Sequence, residues 1–424
     1  MINNPAKINY VHRELEKEIL PFLNRKEAIS IVGPRQTGKT TFIDFIGKEM
    51  EKQGKKVKIV TFENRADLNL FNGNIEDFKS IVKQYDCVVI DEFQYAKNGG
   101  QKLKYLYDTT EVKFIISGSA SLELTFQTGK YMVGRIFEFT LLPFSFREFL
   151  SFRDRELFSL LQEMSLENII DFDASKAFGA EINSRLAKLL EEYVVHGGYP
   201  AVCLAENNDI KHKVLESIAD NYLLKDIKQL LNLATDDNLN RLEKFLAGQI
   251  GGMVKYNELS NVADITYKEV KKHLNILENT YIISLVKPYF TNKRVEIAKN
   301  PKVYFFDLGL RNFSLSDFRE LKGRNDYGMV MENCAYNLLQ RKYPQHSLKY
   351  WRTKSKAEVD FIIDKERVVC PVEVKYSFGR KIGKSMHSFI EKFNPPVAII
   401  LTRDLADEEK IGNTIIKFLP MSYL

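Results

Sequence analysis

The sequence predicts a multidomain protein of the α/β class. At 424 residues the chain is too long for a single hydrophobic core, so two to four domains are expected. Short apolar runs typical of buried parallel strands alternate with amphipathic helices in the first third. A mostly helical stretch follows, and helices and strands alternate again from residue 324 onward. These changes of pattern predict four domains, at 1–150, 151–241, 242–315 and 316–424.

Composition narrows the class of protein further. Hydrophobic residues make up 44% of the chain and charged residues 28%, which is typical of globular domains. No apolar run reaches the roughly 18–20 residues of a membrane helix, and the N-terminal segment lacks the apolar core of a secretory signal. Four scattered cysteines, none in a CxxC pair, favour a reducing compartment and argue against zinc. We therefore expect a cytoplasmic protein without a membrane partner.

The positive charge is unevenly distributed. The net charge is +6, whereas residues 241–300 carry +4 and residues 341–390 carry +7, so the rest of the chain sums to −5. Clustered Lys and Arg attract polyanions, and we expect these two segments to be the candidate DNA-binding regions. Solvated basic faces are the alternative explanation.

The first strand leads into a phosphate-binding loop. In "AISIVGPRQTGKTTF" the pattern Gly33-x-x-x-x-Gly38-Lys39-Thr40 follows an apolar strand and precedes an amphipathic helix. Backbone N–H groups of such a loop and the helix N-terminus receive phosphates. Lys39 is predicted to reach the β- and γ-phosphates of ATP and Thr40 to ligate Mg²⁺, while Arg35 contacts phosphate or pairs with an acid. The predicted nucleotide-binding residues are Gly33, Pro34, Arg35, Gln36, Thr37, Gly38, Lys39, Thr40 and Thr41.

The third predicted strand ends in two acidic residues. "KKVKIVTFEN" is the second strand and "DCVVIDEFQYA" the third, apolar until Asp91 and Glu92. Ligands of open α/β sheets bind beyond the carboxyl ends of the strands. Asp91 is predicted to hold Mg²⁺ through water, and Glu92 to orient or deprotonate the attacking water. Capping of the next turn is the alternative role.

Two more strands complete the predicted sheet. "VKFIISGSASLEL" ends in Ser117 and Ser119, which are candidates for sensing the γ-phosphate. Arg135 precedes the fifth strand and is a candidate arginine finger, acting in cis or from a neighbouring subunit. Action from a neighbour would require a homo-oligomer, and a surface or structural arginine is the alternative.

Four of these segments together resemble a known family. "GPRQTGKTT", "VVIDEFQ", "ISGSAS" and "GRIFEFTLLPFSFREFL" are similar to the prokaryotic AAA+-like ATPases that carry a C-terminal DUF4143 domain. The resemblance covers nearly the whole chain. It implies an ATP-binding core with the strand order of the AAA+ class, and it implies no substrate.

The middle of the chain predicts a helical connector and then a winged helix-turn-helix. Helical periodicity over 144–245 is interrupted by the turn "HGGYPAV", which favours a lid or connector. Residues 242–315 predict three helices and two strands around a basic turn. The helix 266–279 would be the recognition helix, and Lys293 and Arg294 would tip the wing, although many winged helices bind protein instead. The recognition helix is expected to expose Tyr267, Lys268, Lys271, Lys272 and Asn275.

The C-terminal segment has the order αβββαβ and resembles the restriction-endonuclease-like, PD-(D/E)xK fold. The matching residues are Glu332, Asp360, Glu373 and Lys375, although Ala357-Glu358 departs from the usual Pro-Asp. The resemblance implies Mg²⁺ ligands at Glu332, Asp360 and Glu373, with Lys375 beside the metal. An active nuclease, an inactive domain that binds nucleic acid or a partner, and an ordinary amphipathic hairpin all fit the pattern.

Two functions from different classes follow from the sequence. The first is an ATPase that uses ATP and Mg²⁺ and couples hydrolysis to DNA binding. The second is a nucleotide-dependent switch whose inactive nuclease-like domain docks a partner protein.

Overall fold

The computed structural model describes residues 10–118, 129–164, 166–220, 237–292, 294, 296, 299–343, 347–365, 368–376 and 379–424. Ser119 and Lys293 lie outside these residues. The chain divides into two compact units: the first runs to Phe144 and includes Asn279–Tyr281, and the second comprises Ser145–Glu278 and Ile282–Leu424.

A parallel five-stranded sheet forms the centre of the first unit, in the order β2-β3-β4-β1-β5. Because β1, β3 and β4 are buried along their whole length, most of their residues are apolar. This sheet matches the AAA+ P-loop fold that the resemblance implied. Its strands are β1 (Ala28–Val32), β2 (Val57–Thr61), β3 (Cys87–Asp91), β4 (Lys113–Ser117) and β5 (Ile136–Thr140).

Helices cover both faces of this sheet. One core forms around Phe42, Ile43 and Ile46, and another forms around Phe71 and Phe78. The helices are α1 (Leu15–Ile19), α2 (Lys39–Lys52), α3 (Arg65–Asn72), α4 (Ile75–Val82) and α5 (Gly99–Thr109).

The second unit begins with a run of helices. Ser145 and Glu148 form a capping box that starts the first of them, since each side chain accepts a hydrogen bond from the other residue's backbone N–H. The helices are α6 (Phe146–Arg153), α7 (Arg155–Met164), α8 (Ala180–His196), α9 (Pro200–Cys203), α10 (Asn208–Ala219), α11 (Asp237–Gly248), α12 (Tyr256–Ala263) and α13 (Tyr267–Asn279).

A two-stranded antiparallel sheet follows, formed by β6 (Ile283–Val286) and β7 (Lys302–Phe305), and then α14 (Leu308–Ser314). Asp307 caps α14 through a hydrogen bond from Leu310 N (2.9 Å) and also accepts one from Gly198 N (2.7 Å). A Cβ on Gly309 would lie 1.9 Å from the His196 carbonyl oxygen, so only glycine allows this close approach.

A mixed six-stranded sheet in the order β12-β13-β11-β10-β9-β8 forms the C-terminal part of the second unit. The predicted αβββαβ order is present, and the sheet gains β12 and β13, which the sequence did not predict. The elements are α15 (Tyr327–Lys342), β8 (Leu348–Arg352), β9 (Glu358–Lys365), β10 (Val368–Lys375), α16 (Lys384–Phe393), β11 (Val397–Thr402), β12 (Asp407–Ile411) and β13 (Thr414–Pro420). None of the helices assigned within the described ranges is long and apolar enough to cross a membrane.

Candidate nucleotide-binding site and C-terminal carboxylate cluster

The loop 33–38 connects β1 to α2 at the carboxyl edge of the parallel sheet, and two glycines shape it. Gly33 has a φ of +149°, and a Cβ there would lie 2.2 Å from the Leu141 carbonyl oxygen. Gly38 has a left-handed φ of +86° at the start of α2. Side chains at these two positions would be strained, so the loop keeps its backbone N–H groups open to a ligand.

Lys39 is the first residue of α2 and is buried. Its Nζ donates hydrogen bonds to the carbonyl oxygens of Gly33 (3.1 Å) and Pro34 (2.7 Å). Burial lowers the pKa of the Lys39 ammonium to about 8, and the charges of Glu92 and Asp91 oppose that shift. The lysine is therefore folded over the loop whose N–H groups would receive phosphate.

The ends of β3 and β4 and the start of α2 meet at Asp91. Thr40 Oγ1 donates to Asp91 Oδ2 at 2.7 Å, and the Ser117 hydroxyl donates to Asp91 Oδ1. Since Mg²⁺ prefers hydroxyl and carboxylate oxygens, the pair Thr40 and Asp91 fits the ion that the sequence predicts. Ser117 thus contacts the carboxylate, and its predicted role in sensing phosphate stays a prediction.

Glu92 follows directly in a left-handed conformation with a φ of 53°. Its backbone N–H donates to Asp91 Oδ1 (3.0 Å), and Gln94 donates a hydrogen bond to its carboxylate. Burial raises the pKa of the Glu92 carboxyl, while the hydrogen bond from Gln94 opposes the rise. The structure thus brings Glu92 to the edge of the sheet that holds Lys39.

The other predicted loop residues have different environments. Thr37 is buried and donates from Oγ1 to Pro34 O at 3.0 Å, so it fixes the turn. The charge of Arg35 acts on Lys39 and contributes to the lowering of its pKa. Gln36 and Thr41 are exposed.

Arg13 supports the loop and was not predicted. The side chain is 6% exposed, and it donates from Nη1 to Thr37 O (2.9 Å) and from Nη2 to Leu142 O (2.6 Å). Its guanidinium also stacks on Phe144, 4.8 Å from the ring centroid. Arg13 precedes the first strand and belongs to no motif, so sequence reading offered no signal for it.

The structure does not bring Arg135 to this site. The Arg135 carbonyl oxygen accepts a hydrogen bond from Ala28 N, at the amino end of β1. The loop 33–38 lies at the carboxyl end of β1, so roughly the length of β5, about 16 Å, separates Arg135 from this loop. Its guanidinium pairs with Asp108 at 3.0 Å. A role in cis does not fit this position, and action from a neighbouring subunit stays a prediction.

The C-terminal carboxylates surround a lysine from β7. Lys302 Nζ lies 2.9 Å from Glu332 Oε1 and 2.6 Å from Glu358 Oε1, and the lysine side chain is 1% exposed. Tyr304 Oη also donates to Glu332 Oε1, at 2.7 Å. Burial lowers the pKa of Lys302. The charges of Glu332, Asp360 and Glu358 raise this pKa by more, so the net shift is upward. No motif pointed to Lys302 or Tyr304.

Asp360 and Glu373 have different hydrogen-bond and ion-pair partners. Asp360 Oδ2 accepts a hydrogen bond from Val374 N at 2.8 Å, and burial together with the charge of Glu332 raises the pKa of Asp360 to about 7. Glu373 Oε1 pairs with Lys375 Nζ at 2.7 Å, and Glu373 Oε2 is buried without a hydrogen bond. Lys375 and Glu373 share a side of β10, as predicted.

These residues do not fit a metal ion as a set. Across the described ranges, no three His, Cys, Asp or Glu side chains are arranged to hold one. The Lys302 ammonium supplies the positive charge between Glu332 and Glu358. Glu332 and Glu373 lie near Asp360, since their charges raise its pKa, whereas Lys302 already provides a cation beside Glu332. The role of Glu332, Asp360 and Glu373 as metal ligands stays a prediction.

The exposed face of α13 carries the residues predicted for a recognition helix. Thr266 and Glu269 form the expected cap, since Thr266 N donates to Glu269 Oε2 (2.8 Å) and Glu269 N to Thr266 Oγ1 (3.3 Å). Lys271 Nζ lies 4.7 Å from the centroid of the Tyr267 ring. The exposed positions are Tyr267, Lys268, Lys271, Lys272 and Asn275.

Family models match three parts of the chain. A family described as "AAA domain" matches residues 25–150, and two families described as domains of unknown function match residues 187–321 (DUF8612) and 327–424 (DUF4143).

Whole-chain relatives are distant. The uncharacterized protein MJ1544 of Methanocaldococcus jannaschii is 23% identical over 84% of this chain and 76% of the relative. An uncharacterized protein of Haemophilus influenzae is 24% identical over 82% of each chain. Among solved structures, AMPPCP-bound DnaA from Aquifex aeolicus is 16% identical, covers 66% of this chain and 93% of that chain, and has a TM-score of 0.29.

Proposed function

Because the chain combines an AAA domain at residues 25–150 with a C-terminal DUF4143 domain at residues 327–424, we propose that it is a Mg²⁺-dependent ATPase. The observation that carries this proposal is the meeting of Lys39, Thr40 and Asp91 at the carboxyl edge of the parallel sheet. Ligands of open α/β sheets bind at this edge.

Each residue at this edge has a specific role in the proposed reaction. Lys39 and the N–H groups of loop 33–38 bind the β- and γ-phosphates, and Thr40 and Asp91 would hold Mg²⁺, which neutralises charge on the phosphate oxygens when bound. Ser117 fixes the Asp91 carboxylate by a hydrogen bond. Glu92 orients the attacking water and accepts its proton.

Phosphate release from Mg²⁺–ATP by the full-length protein tests this proposal. Lys39→Ala should abolish it, because the variant loses the cation that binds the phosphates. Lys48→Ala removes an exposed lysine from the same helix, α2, and should keep the wild-type rate. Equal rates of hydrolysis by wild type and Lys39→Ala would show that this loop is not the ATPase site.

We further propose that the second unit binds nucleic acid and couples this binding to ATP. Support comes from the basic exposed face of α13 and from the order of α11, α12, α13, β6 and β7, which is that of a winged helix. Lysines on such a face neutralise DNA phosphates, so binding should weaken steeply with salt. Lys271→Glu should weaken duplex binding, whereas Lys244→Glu, at an exposed position of α11, should not. Binding that ignores salt would favour protein docking instead.

For the C-terminal domain we infer a nuclease-like fold that does not cleave. The supporting observation is the Lys302 ammonium between Glu332 and Glu358. Wild-type protein incubated with Mg²⁺ or Mn²⁺, with and without ATP, should leave single- and double-stranded DNA and RNA intact. Cleavage that disappears in Asp360→Asn would contradict this inference.

A further inference from the structure

A cavity of about 810 Å³ lies in the second unit, beside the carboxylate cluster. Its walls come from residues 288–291 and 299–300 between β6 and β7, from the end of β8, and from the end of α16. Pockets that hold small ligands span roughly 300–1,000 Å³, so this cavity has the size of a ligand site.

The backbone fixes the cavity against the edge of the sheet. β8 is the last strand of the six-stranded sheet, and Tyr350 on its outer side bonds to the segment before β7: Tyr350 N donates to Lys287 O (3.1 Å) and Tyr289 N donates to Tyr350 O (2.5 Å). Tyr350 Oη further donates to Asn300 O at 2.7 Å. Both ends of the segment 287–300 are thus held on β8, and the cavity is a built feature.

One wall of the cavity is aromatic. The ring of Phe393 lies edge-to-face with both Tyr289 and Trp351, with centroid distances of 5.7 and 6.1 Å. Trp351 is 4% exposed and Phe393 is half-buried, so packing holds the rings in place. Aromatic rings held at a cavity wall provide surfaces on which a planar ligand stacks.

The charged residues of the lining are all basic. Among the described residues that line the cavity, Lys299, Arg352, Lys354 and Lys392 are basic and none is Asp or Glu. Lys392 Nζ lies 5.1 Å from the Phe393 centroid and 5.9 Å from that of Trp351, above the aromatic wall. Arg352 is anchored by Glu358 at 2.8 Å. The ligand must therefore be anionic next to its planar group.

We propose that this cavity binds an unpaired nucleotide of single-stranded nucleic acid, with its base against the aromatic wall and its phosphate at Lys392 and the neighbouring lysines. Bases of a duplex are stacked inside the helix and do not reach a recessed wall, whereas an unpaired base does. This inference rests on the proposed nucleic-acid role of the second unit. It adds that the nucleic acid bound at this cavity is single-stranded.

The chain provides its own probe, because Trp351 is its only tryptophan. The full-length protein without ATP is titrated with oligothymidylate, duplex DNA, thymidine monophosphate and polyglutamate, and Trp351 emission is recorded. We expect quenching by oligothymidylate that weakens with salt, and no quenching by duplex DNA or polyglutamate. Quenching by the monophosphate at equal nucleotide concentration would assign the same site to free nucleotides.

Two variants test the site itself. Lys392→Glu should raise the oligothymidylate dissociation constant roughly tenfold or more, and Phe393→Ala roughly fivefold or more, without changing the unfolding transition. Lys410→Glu, an exposed lysine on β12 at the opposite edge of the same sheet, is the matched control and should bind normally.

Unchanged Trp351 emission at saturating oligothymidylate, wild-type affinity of Lys392→Glu, or equal quenching by polyglutamate would overturn the inference. The winged-helix proposal fails on a different measurement. If it is wrong, Lys271→Glu binds duplex DNA as wild type does, independently of any change in Trp351 emission. Because ATP is absent from the titration, the ATPase proposal is tested separately.

Discussion

Lys302 on β7 and Glu332 on α15 form a buried ion pair with an Nζ–Oε1 distance of 2.9 Å. The pair joins a strand of the two-stranded sheet to the helix that precedes the C-terminal sheet. Glu358 takes part from β9, so one ammonium compensates two carboxylates. A positive charge built into the chain thus lies beside Glu332, one of the carboxylates that the sequence pattern predicted for a metal ion.

Loss of Lys302 should therefore destabilise the protein. Lys302→Met leaves the Glu332 carboxylate without its cation and Glu358 with Arg352 alone, and breaking a buried pair in this way costs roughly 3–5 kcal/mol of unfolding free energy. Urea denaturation of the full-length protein measures the loss. The double variant Lys302→Met/Glu332→Gln should recover part of it, and Lys410→Met should change little. A loss of unfolding free energy below about 1 kcal/mol for Lys302→Met would show that the ion pair contributes little to stability.

Arg13 should control ATP affinity without touching ATP. Arg13→Met removes the hydrogen bonds to the carbonyl oxygens of Thr37 and Leu142, which fasten the phosphate-binding loop. Hydrogen bonds from charged donors are worth roughly 1.5–3 kcal/mol, so we expect the dissociation constant of a fluorescent ATP analogue to rise about tenfold or more. Arg25→Met, at an exposed arginine of the same unit, is the control. Equal affinities for both variants would leave Arg13 a purely structural residue.

Glu243 should make stability depend on pH. This carboxyl on α11 is buried, and burial raises its pKa from 4.5 to about 7, while the Ser314 hydroxyl opposes the rise. Between these two values the folded protein keeps a proton that the unfolded chain has released. The stabilisation is therefore complete below about pH 4.5 and is lost as the pH rises to about 7.

Glu243→Gln carries no such proton, so its stability relative to wild type should increase by up to about 3 kcal/mol between pH 5 and pH 8. Urea denaturation at both pH values measures the difference, with Glu258→Gln on the exposed side of α12 as the control. A difference between Glu243→Gln and wild type that stays constant with pH would show that Glu243 titrates alike in the folded and unfolded chains.

The sequence predicted that the side chains of Thr40, Asp91 and Ser117 meet at the carboxyl edge of the parallel sheet, because its signals are local. Gly33 to Thr40 are contiguous, and Asp91 and Ser117 end apolar strands that must be parallel and buried. The carboxyl ends of such strands meet at one edge, so sequence pattern alone brings these side chains together.

Features that depend on distant contacts were not predictable. Arg13 bonds to Leu142 and Lys302 to Glu332, and no spacing rule connects such positions. The strand β12 was missed because its middle residues are exposed and charged, as edge strands often are. Arg135 was proposed from its position just before the fifth strand, and the strand register puts that position at the amino edge of the sheet.

Single-turnover hydrolysis by Glu92→Gln tests the central claim most directly. Binding of a fluorescent ATP analogue and phosphate release are measured on the same full-length variant in Mg²⁺, with Glu111→Gln, an exposed acid of the same unit, as the control. We predict wild-type binding and hydrolysis slowed roughly 10²–10⁴-fold, because the group that activates water is lost. Unchanged turnover in Glu92→Gln would show that Glu92 does not activate the attacking water and would contradict the proposed ATPase site.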